Sequence, residues 1–226
     1  MTRRGYICGG GALGVVLFAA ASLQQVALLY TTAGKAGFIT GLYVVVVPIL
    51  GLFWGQRPSA GTWAGAGLAA AGLYLLSVTA SFRMEYGDGL VLVSALFWSL
   101  QVLLVAWLSP RTRPVGLAFY QFSVCAVLSL MTAVLFEPFE WAGLVAAAGP
   151  IFYGGVLSVG VAYTLQVVAQ RDAHPAHASI LMSLEAVFAA FGGWMLLGET
   201  LSLRGLVGCG MMLAGMMLSQ LWALRK

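Results

Sequence analysis

Residues 33–77 read AGKAGFITGLYVVVVPILGLFWGQRPSAGTWAGAGLAAAGLYLLS. Two long apolar runs in this stretch are separated by QRPSAG, in which Pro58 and Gly61 are typical turn residues. A helix needs about 20 mainly apolar residues to cross the hydrocarbon core of a bilayer. The stretch therefore predicts two membrane-spanning helices joined by a short turn.

The composition of the whole chain supports this interpretation. Of its 226 residues, 61% are hydrophobic and only 8% are charged. A water-soluble domain carries about 25% charged residues, so the outer surface of this chain is expected to face the lipid bilayer. The net charge of +4 comes from scattered basic residues without a basic patch or helix face, which excludes nucleic acid as a partner.

Charged residues divide the chain into eight windows of spanning length. The windows are 5–34, 36–56, 58–82, 89–110, 114–136, 141–170, 173–198 and 205–224. They are continuously apolar, whereas a strand of a membrane barrel alternates in polarity over about 10 residues. We therefore predict an all-α, polytopic membrane bundle of about eight transmembrane helices.

Lysine and arginine set the expected orientation. With a cytoplasmic N-terminus, the inner ends and loops hold Arg3, Arg4, Arg57, Arg111, Arg113, Arg171, Arg225 and Lys226, and the outer ones hold Lys35, Arg83 and Arg204. This bias predicts that both termini are cytoplasmic. Residues 1–22 could alternatively be a cleavable signal peptide, but the apolar run continues through VALLY at 26–30, which favours a membrane helix.

The quoted stretch recurs near the C-terminus. A shift of 143 residues superposes Gly55 on Gly198, Ser59 on Ser202, Gly65 on Gly208, Gly67 on Gly210 and Gly72 on Gly215. A slightly different shift aligns LQQVALLYTTAGKAG at 23–37 with LQVVAQRDAHPAHA at 165–178. The first copy begins on the inside and the second on the outside, so the repeats are inverted, which is typical of transporters.

The segment 33–77 and the segment ASILMSLEAVFAAFGGWMLLGETLSLRGLVGCGMMLAGMMLS at 178–219 resemble the last two helices of the two EamA repeats of the drug/metabolite transporter superfamily. That family usually has ten spans in two five-helix repeats. The resemblance implies a three-helix partial first repeat at 1–81 and a five-helix second repeat at 86–226. The chain departs from the family at Ala186, where proline is common, and at Gln56, where glutamate is common.

The resemblance also implies a function. It predicts alternating-access transport, in the direction of export, of a small metabolite or drug-like solute in the bacterial inner membrane, and no enzymatic activity. Two alternatives stay open, a truncated membrane scaffold that transports nothing and an intramembrane enzyme. The second is disfavoured because the sequence contains no HExxH or GxSxG motif.

Glu185 is the first candidate site residue, because it is the one charged residue well inside a predicted span. A charged carboxylate at mid-membrane costs at least about 2.5 kcal/mol, so such residues usually face protein and have a function. Ala178, Ala189 and Gly192 share its face on a continuous helix. Glu185 is predicted to contact substrate or to exchange protons, although it could instead only tie two helices together.

The fourth window places Ser94, Trp98 and Gln101 at helical spacing. One aromatic plate and two hydrogen-bonding groups suit the lining of a substrate path, although packing and interhelical hydrogen bonds would use the same residues. Further polar residues within the spans complete the predicted substrate-binding set, namely Gln25, Tyr43, Gln121 and Tyr163.

No metal or cofactor site is predicted. Cys8, Cys125 and Cys209 are far apart, and His174 and His177 have no acidic or thiol companions and are expected to be solvated loop residues. The predicted partners are the lipid bilayer and a small-molecule substrate, with protons and a second copy of the chain as further candidates.

The basic bias yields a topological prediction. Reporter fusions after Arg113 and at Lys226 are expected to be active on the cytoplasmic side, and a fusion after Glu140 on the external side, because basic loops stay inside. Alkaline phosphatase and fluorescent-protein fusions measure the two locations. The opposite activity pattern at these three sites would invalidate the orientation.

Overall fold

The computed structural model describes residues 3–77, 85–138, 140–197 and 202–224, and every regular element within them is helical. The α-helices are α1 (Arg3–Ala27), α2 (Ala33–Gly41), α3 (Tyr43–Phe53), α4 (Ala60–Ser77), α5 (Tyr86–Leu108), α6 (Pro114–Phe136), α7 (Trp141–Ala146), α8 (Ala148–Phe152), α9 (Thr164–Ala169), α10 (Pro175–Met182), α11 (Glu185–Leu197) and α12 (Leu203–Leu224). A 3-10 turn, Ser109–Arg111, follows α5, and a π-helix, Tyr153–Tyr163, joins α8 to α9.

The predicted polytopic helix bundle is confirmed. Among the described residues, six stretches are long and apolar enough to cross a membrane: Ile7–Ala27, Lys35–Phe53, Tyr86–Arg111, Pro114–Phe136, Ala148–Ala169 and Pro175–Gly192. The third and eighth predicted spans contain the shorter apolar helices Ala60–Leu76 and Leu203–Ser219. Each predicted window thus holds one apolar helical stretch. Arg83, assigned above to an outer loop, lies outside the described residues, as do Arg225 and Lys226.

The chain forms two compact units. The first contains residues 1–19 and 104–173, and the second contains residues 20–103 and 174–226. The first unit has a core in which Leu13 of α1, Leu117 of α6 and Val167 of α9 are fully buried. The Ser109 hydroxyl donates to the carbonyl of Val167 at 2.7 Å, which fixes the end of α5 against α9. Both units draw on both predicted repeats, so the boundaries at 81 and 86 stay a prediction about sequence repeats.

Most of the sixth span has little protein around it. The helices α7 and α8 and the π-helix contain no buried residue, and a Cβ added at Gly149, Gly154 or Gly155 would meet no atom within 4 Å. Glycine faces in membrane helices normally allow close helix packing. In this structure the face is open.

The second unit is organised by the contact between α4 and α12, which pack along their length. A Cβ added at Gly65 would lie 2.6 Å from the carbonyl oxygen of Gly215, and one added at Gly72 would lie 2.5 Å from that of Gly208. Real Cβ atoms do not approach so closely, so the two backbones meet only because these four residues are glycine. Because the residue numbers increase in opposite directions along the contact, the helices are antiparallel.

This contact confirms the inverted repeat. The shift of 143 residues relates Gly65 to Gly208 and Gly72 to Gly215. The Gly65–Gly215 contact therefore has the Gly208–Gly72 contact as its repeat equivalent, and the interface has twofold pseudosymmetry. The helix starts agree: Ser59 Oγ accepts from the N–H of Thr62 at 3.2 Å, and the repeat-equivalent Ser202 Oγ accepts from that of Gly205 at 3.1 Å. Serine is a favoured N-cap because its side chain satisfies a free N–H of the first turn.

The glycine contact predicts a large effect of bulk on stability. Gly72→Leu is expected to lower the free energy of unfolding by at least about 2 kcal/mol, because the added side chain forces α4 and α12 apart. Gly67→Leu on the same helix is the matched control, since its added Cβ meets no atom within 4 Å. Thermal unfolding of the detergent-solubilised variants measures both. Equal midpoints for the two variants would contradict the role of Gly72.

Candidate functional site

Two of the membrane spans are broken near their middles. In the second span, α2 ends at Gly41 and α3 starts at Tyr43, and the Leu42 N–H bonds to the carbonyl of Ile39 at 3.2 Å, a tighter 3-10 turn. Pro48 inside α3 has no N–H to offer the carbonyl of Val44, four residues earlier and beyond the break. The 3-10 contact at Leu42 is what interrupts the regular α-helical ladder between α2 and α3.

The second break separates α10 from α11 at Ser183 and Leu184. The Leu184 N–H bonds to the carbonyl of Leu181 at 3.1 Å, again a 3-10 contact. The Ser183 hydroxyl bonds back to the carbonyl of Ile180 at 2.7 Å, and this bonding competes with the regular helical ladder. The second break thus forms next to a serine hydroxyl. It forms although this chain has alanine at 186, where EamA repeats commonly have proline.

The two breaks occupy equivalent positions in the inverted repeat. The repeat alignment places Gly37 on Ala178 before the breaks and Gly55 on Gly198 after them. These two shifts map Leu42 to Ser183 and to Glu185, so its equivalent lies within 183–185, at the second break. Paired discontinuous helices in inverted repeats commonly form the substrate sites of transporters. The breaks therefore define the candidate site, and two predicted site residues, Tyr43 and Glu185, begin the helices that follow them.

The first break is enclosed by packed side chains. Tyr43 is buried with Val47, Val102 and Leu103, and Met182 of α10 packs against this cluster. One helix from each break, α3 after the first and α10 before the second, therefore meets α5 at one place. Thr40, in the last turn of α2, is also buried, and its Oγ1 has no hydrogen-bond partner among the described residues.

The α5 residues predicted to form a stripe have different local partners. Ser94 is fully buried and its hydroxyl donates to the carbonyl of Ala20 at 2.7 Å. Trp98 Nε1 donates to Gln24 Oε1 at 2.8 Å. Ser94 and Trp98 thus tie α5 to α1, as the packing alternative expected, and Gln24 is a partner that sequence reasoning did not assign.

Gln101 has a side-chain amide that forms no hydrogen bond with the described residues. Its side chain is only 1% exposed, and neither Oε1 nor Nε2 has a hydrogen-bond partner among the described residues. An unsatisfied buried polar group costs about 1–3 kcal/mol. Gln101 directly precedes Val102 in α5, and Val102 packs on Tyr43 at the first break. A buried amide with free donors and acceptors on this helix is suited to bind a solute that enters the site.

Glu185 differs from the expectation that protein encloses it. It is the exposed first residue of α11, while its neighbours Leu184, Ala186 and Val187 pack towards Leu73 and Met212. The shared face with Ala178 required a continuous helix, and the break at Ser183 and Leu184 interrupts it. Glu185 therefore presents its carboxylate on the side of α11 away from that cluster.

Three predicted site residues lie elsewhere. Gln25 on α1 is exposed. Gln121 and Tyr163 belong to the first unit. Gln121 is fully buried, and neither of its amide atoms has a partner among the described residues, while Tyr163 is half-buried at the end of the π-helix. Ser94, Trp98, Gln101, Tyr43 and Glu185 all belong to the second unit, where Tyr43 stands at the first break and Glu185 at the second.

The histidines are not both solvated loop residues as expected. His177 lies half-buried in the first turn of α10, and its Nε2 is 3.1 Å from Thr62 Oγ1. His174 is exposed just before α10, where partial burial and the neighbouring His177 lower its pKa. No group of three or more potential metal ligands occurs among the residues described.

Comparisons with known proteins agree with this architecture. An uncharacterized transporter of Archaeoglobus fulgidus is 32% identical over 198 residues, covering 85% of this chain and 62% of that protein. A second uncharacterized transporter of the same organism is 26% identical over 207 residues, covering 92% and 74%. This chain thus spans less than two thirds of the first relative's length.

The fold also matches a solved structure. A protein known from a crystal structure superposes with a TM-score of 0.78 at 19% identity, over 97% of this chain and 86% of that chain. The EamA-like transporter family matches residues 85–221, which is more than half of the sequence. The paired broken helices, the inverted repeat and this match lead to one conclusion: the chain belongs to the EamA-like transporter family.

Proposed function

We propose that this membrane protein exports a small metabolite or drug-like solute by alternating access, with the solute bound at the two helix breaks. One observation carries the proposal: the two breaks occupy repeat-equivalent positions, and the buried amide of Gln101, unpaired among the described residues, stands on α5 directly before Val102 and Leu103, which pack on Tyr43 at the first break. Discontinuous helices at equivalent positions of inverted repeats are where transporters commonly bind their substrates.

The site residues have distinct proposed roles. Gln101 and Thr40 supply hydrogen-bonding groups that no other described residue satisfies. Trp98 supplies a flat apolar surface, while Ser94 positions α5 through its bond to Ala20. The bound solute would replace the missing partners of Gln101 and Thr40, and this gain favours its desolvation.

Glu185 is proposed to face a water-filled part of the path. A charged carboxylate facing lipid at mid-membrane costs at least about 2.5 kcal/mol, which disfavours lipid exposure for this residue. Water allows Glu185 to exchange a proton or to bind a donor group of the solute as access alternates. Gln25, Gln121 and Tyr163 stay candidates for other parts of the path.

The proposed setting is a bacterial plasma membrane, with both termini cytoplasmic and the repeats at 1–81 and 86–226. In this setting α4 and α12 form the fixed contact between the repeats. We propose no catalytic role for any residue, because the candidate site offers hydrogen bonds and one carboxylate without an adjacent nucleophile among the described residues.

The proposal predicts a transport defect in two variants. Glu185→Gln and Gln101→Leu are expected to lower the initial rate of uptake into proteoliposomes about tenfold or more, the effect of losing about 1.4 kcal/mol of interaction. The probes are radiolabelled amino acids and the dye ethidium, supplied across a pH series. Gln170→Leu is the matched control, because this amide is also buried and unpartnered but lies in the first unit.

Stability measurements separate transport from folding. Both Gln→Leu variants are expected to keep or raise the unfolding midpoint, since removing an unsatisfied amide relieves its desolvation cost. If Glu185→Gln transports normally and unfolds earlier, Glu185 is a structural tie. If the unmodified protein moves none of the probes, the proposal is wrong for these two classes of solute.

A further inference from the structure

A cluster of charged side chains around the buried Asp88 lies at one end of the second unit. Lys35 Nζ lies 3.2 Å from Glu85 Oε1 and 3.7 Å from Asp88 Oδ2. The Thr31 hydroxyl donates to Asp88 Oδ1, and the Glu85 N–H donates to Asp88 Oδ2 at 2.9 Å. Both carboxylate oxygens of Asp88 are therefore engaged. We call Thr31, Lys35, Glu85 and Asp88 the outer cluster, because all four lie at the predicted external end.

The cluster is more than a surface ion pair. Asp88 is 0% exposed, while the Glu85 side chain is 53% exposed. A Cβ added at Gly87 would lie 2.8 Å from the carbonyl oxygen of Ala27, so α5 begins in direct contact with the end of α1. The rings of Tyr30 and Tyr86 meet edge to face with centroids 5.5 Å apart. Breaking a buried ion pair by removing one partner is costly, whereas exposed pairs contribute little.

The cluster joins the two repeats. Thr31 and Lys35 belong to the first repeat, and Glu85 and Asp88 stand at the junction with the second, on the first turn of α5 and just before it. At the opposite, predicted inner end, the first repeat is tied to the second by the contact between Thr62 Oγ1 and His177 Nε2. A hydrogen bond of this kind is weaker than a buried pair of charges. The polar ties at the two ends are therefore unequal.

We propose that Lys35 and Asp88 form the external gate of the carrier, and that the gate is closed in this structure. The inference rests on the proposed alternating access, which requires each end to open in turn. Opening towards the outside requires Lys35 to leave Asp88.

Labelling of a buried cysteine tests the gate without a transported solute. Ile39 is 4% exposed and packs with Ala27, Ala36 and Val91, one helical turn beyond Lys35. In a chain with its three natural cysteines replaced, Ile39→Cys is expected to react slowly with a membrane-impermeant thiol reagent added outside. Lys35→Met and Asp88→Asn are each expected to raise that rate about tenfold or more, since each removes a buried charge partner.

Two further variants make the test specific. Glu85→Gln is the matched control and is expected to change the rate less than about twofold, because this partner is exposed. Thr31→Val removes only the hydroxyl bond to Asp88, and an intermediate increase supports the gate. Unchanged labelling in both Lys35→Met and Asp88→Asn overturns it. Faster labelling in a protein that transports no probe supports the gate and counts against the proposed function alone.

Hydrogen exchange identifies general loosening of the fold. If the gate alone opens, backbone exchange rises in residues 28–39 and 85–95 and stays unchanged in α4 and α12. If exchange rises equally in α4 and α12, the substitutions have destabilised the whole bundle, and the gate is rejected.

Discussion

The backbone contact between α4 and α12 is the constraint on which the second unit depends. Lipid tails are as apolar as leucine, so membrane helices do not associate by the hydrophobic effect and rely on close packing instead. The glycines at 65, 72, 208 and 215 allow carbonyl oxygens to approach the facing backbone within 2.5–2.6 Å of where a Cβ would lie. Because the contact is pseudosymmetric, it sets the two repeats antiparallel.

The same symmetry places the two helix breaks in equivalent positions, where they serve the proposed site. The two breaks have different neighbours in sequence, since α3 contains Pro48 and the end of α10 contains Ser183. A serine hydroxyl competes for a carbonyl at the second break, whereas the donor that Pro48 lacks belongs to the next turn of α3, beyond the first break. Both breaks share a 3-10 contact, and the second forms without a proline at 186.

Asp88 and Glu185 show that the burial of a carboxylate could not be predicted from the sequence alone. Glu185 stands inside an apolar run and was expected to be enclosed, yet it is exposed. Asp88 stands in the short polar segment MEYGDG, yet it is fully buried with partners on both oxygens. The difference arises because Asp88 lies in the first turn of a helix that abuts the end of α1, whereas Glu185 begins a helix whose packed face is the opposite one.

The sequence by itself determined the helical membrane fold, the eight apolar windows and the inverted repeat, because helix length and the spacing of glycines are local properties of the chain. It also identified Tyr43, Trp98, Gln101 and Glu185 as candidates, because polar groups are costly in lipid wherever they stand. Only the tertiary structure decided which of these groups were paired. Trp98 bonds to Gln24, 74 residues away in sequence on another helix, while Gln101, one helical turn further along α5, has no partner among the described residues. Hydrogen bonds depend on the distance and angle between atoms of different helices, and these are fixed only when the helices pack.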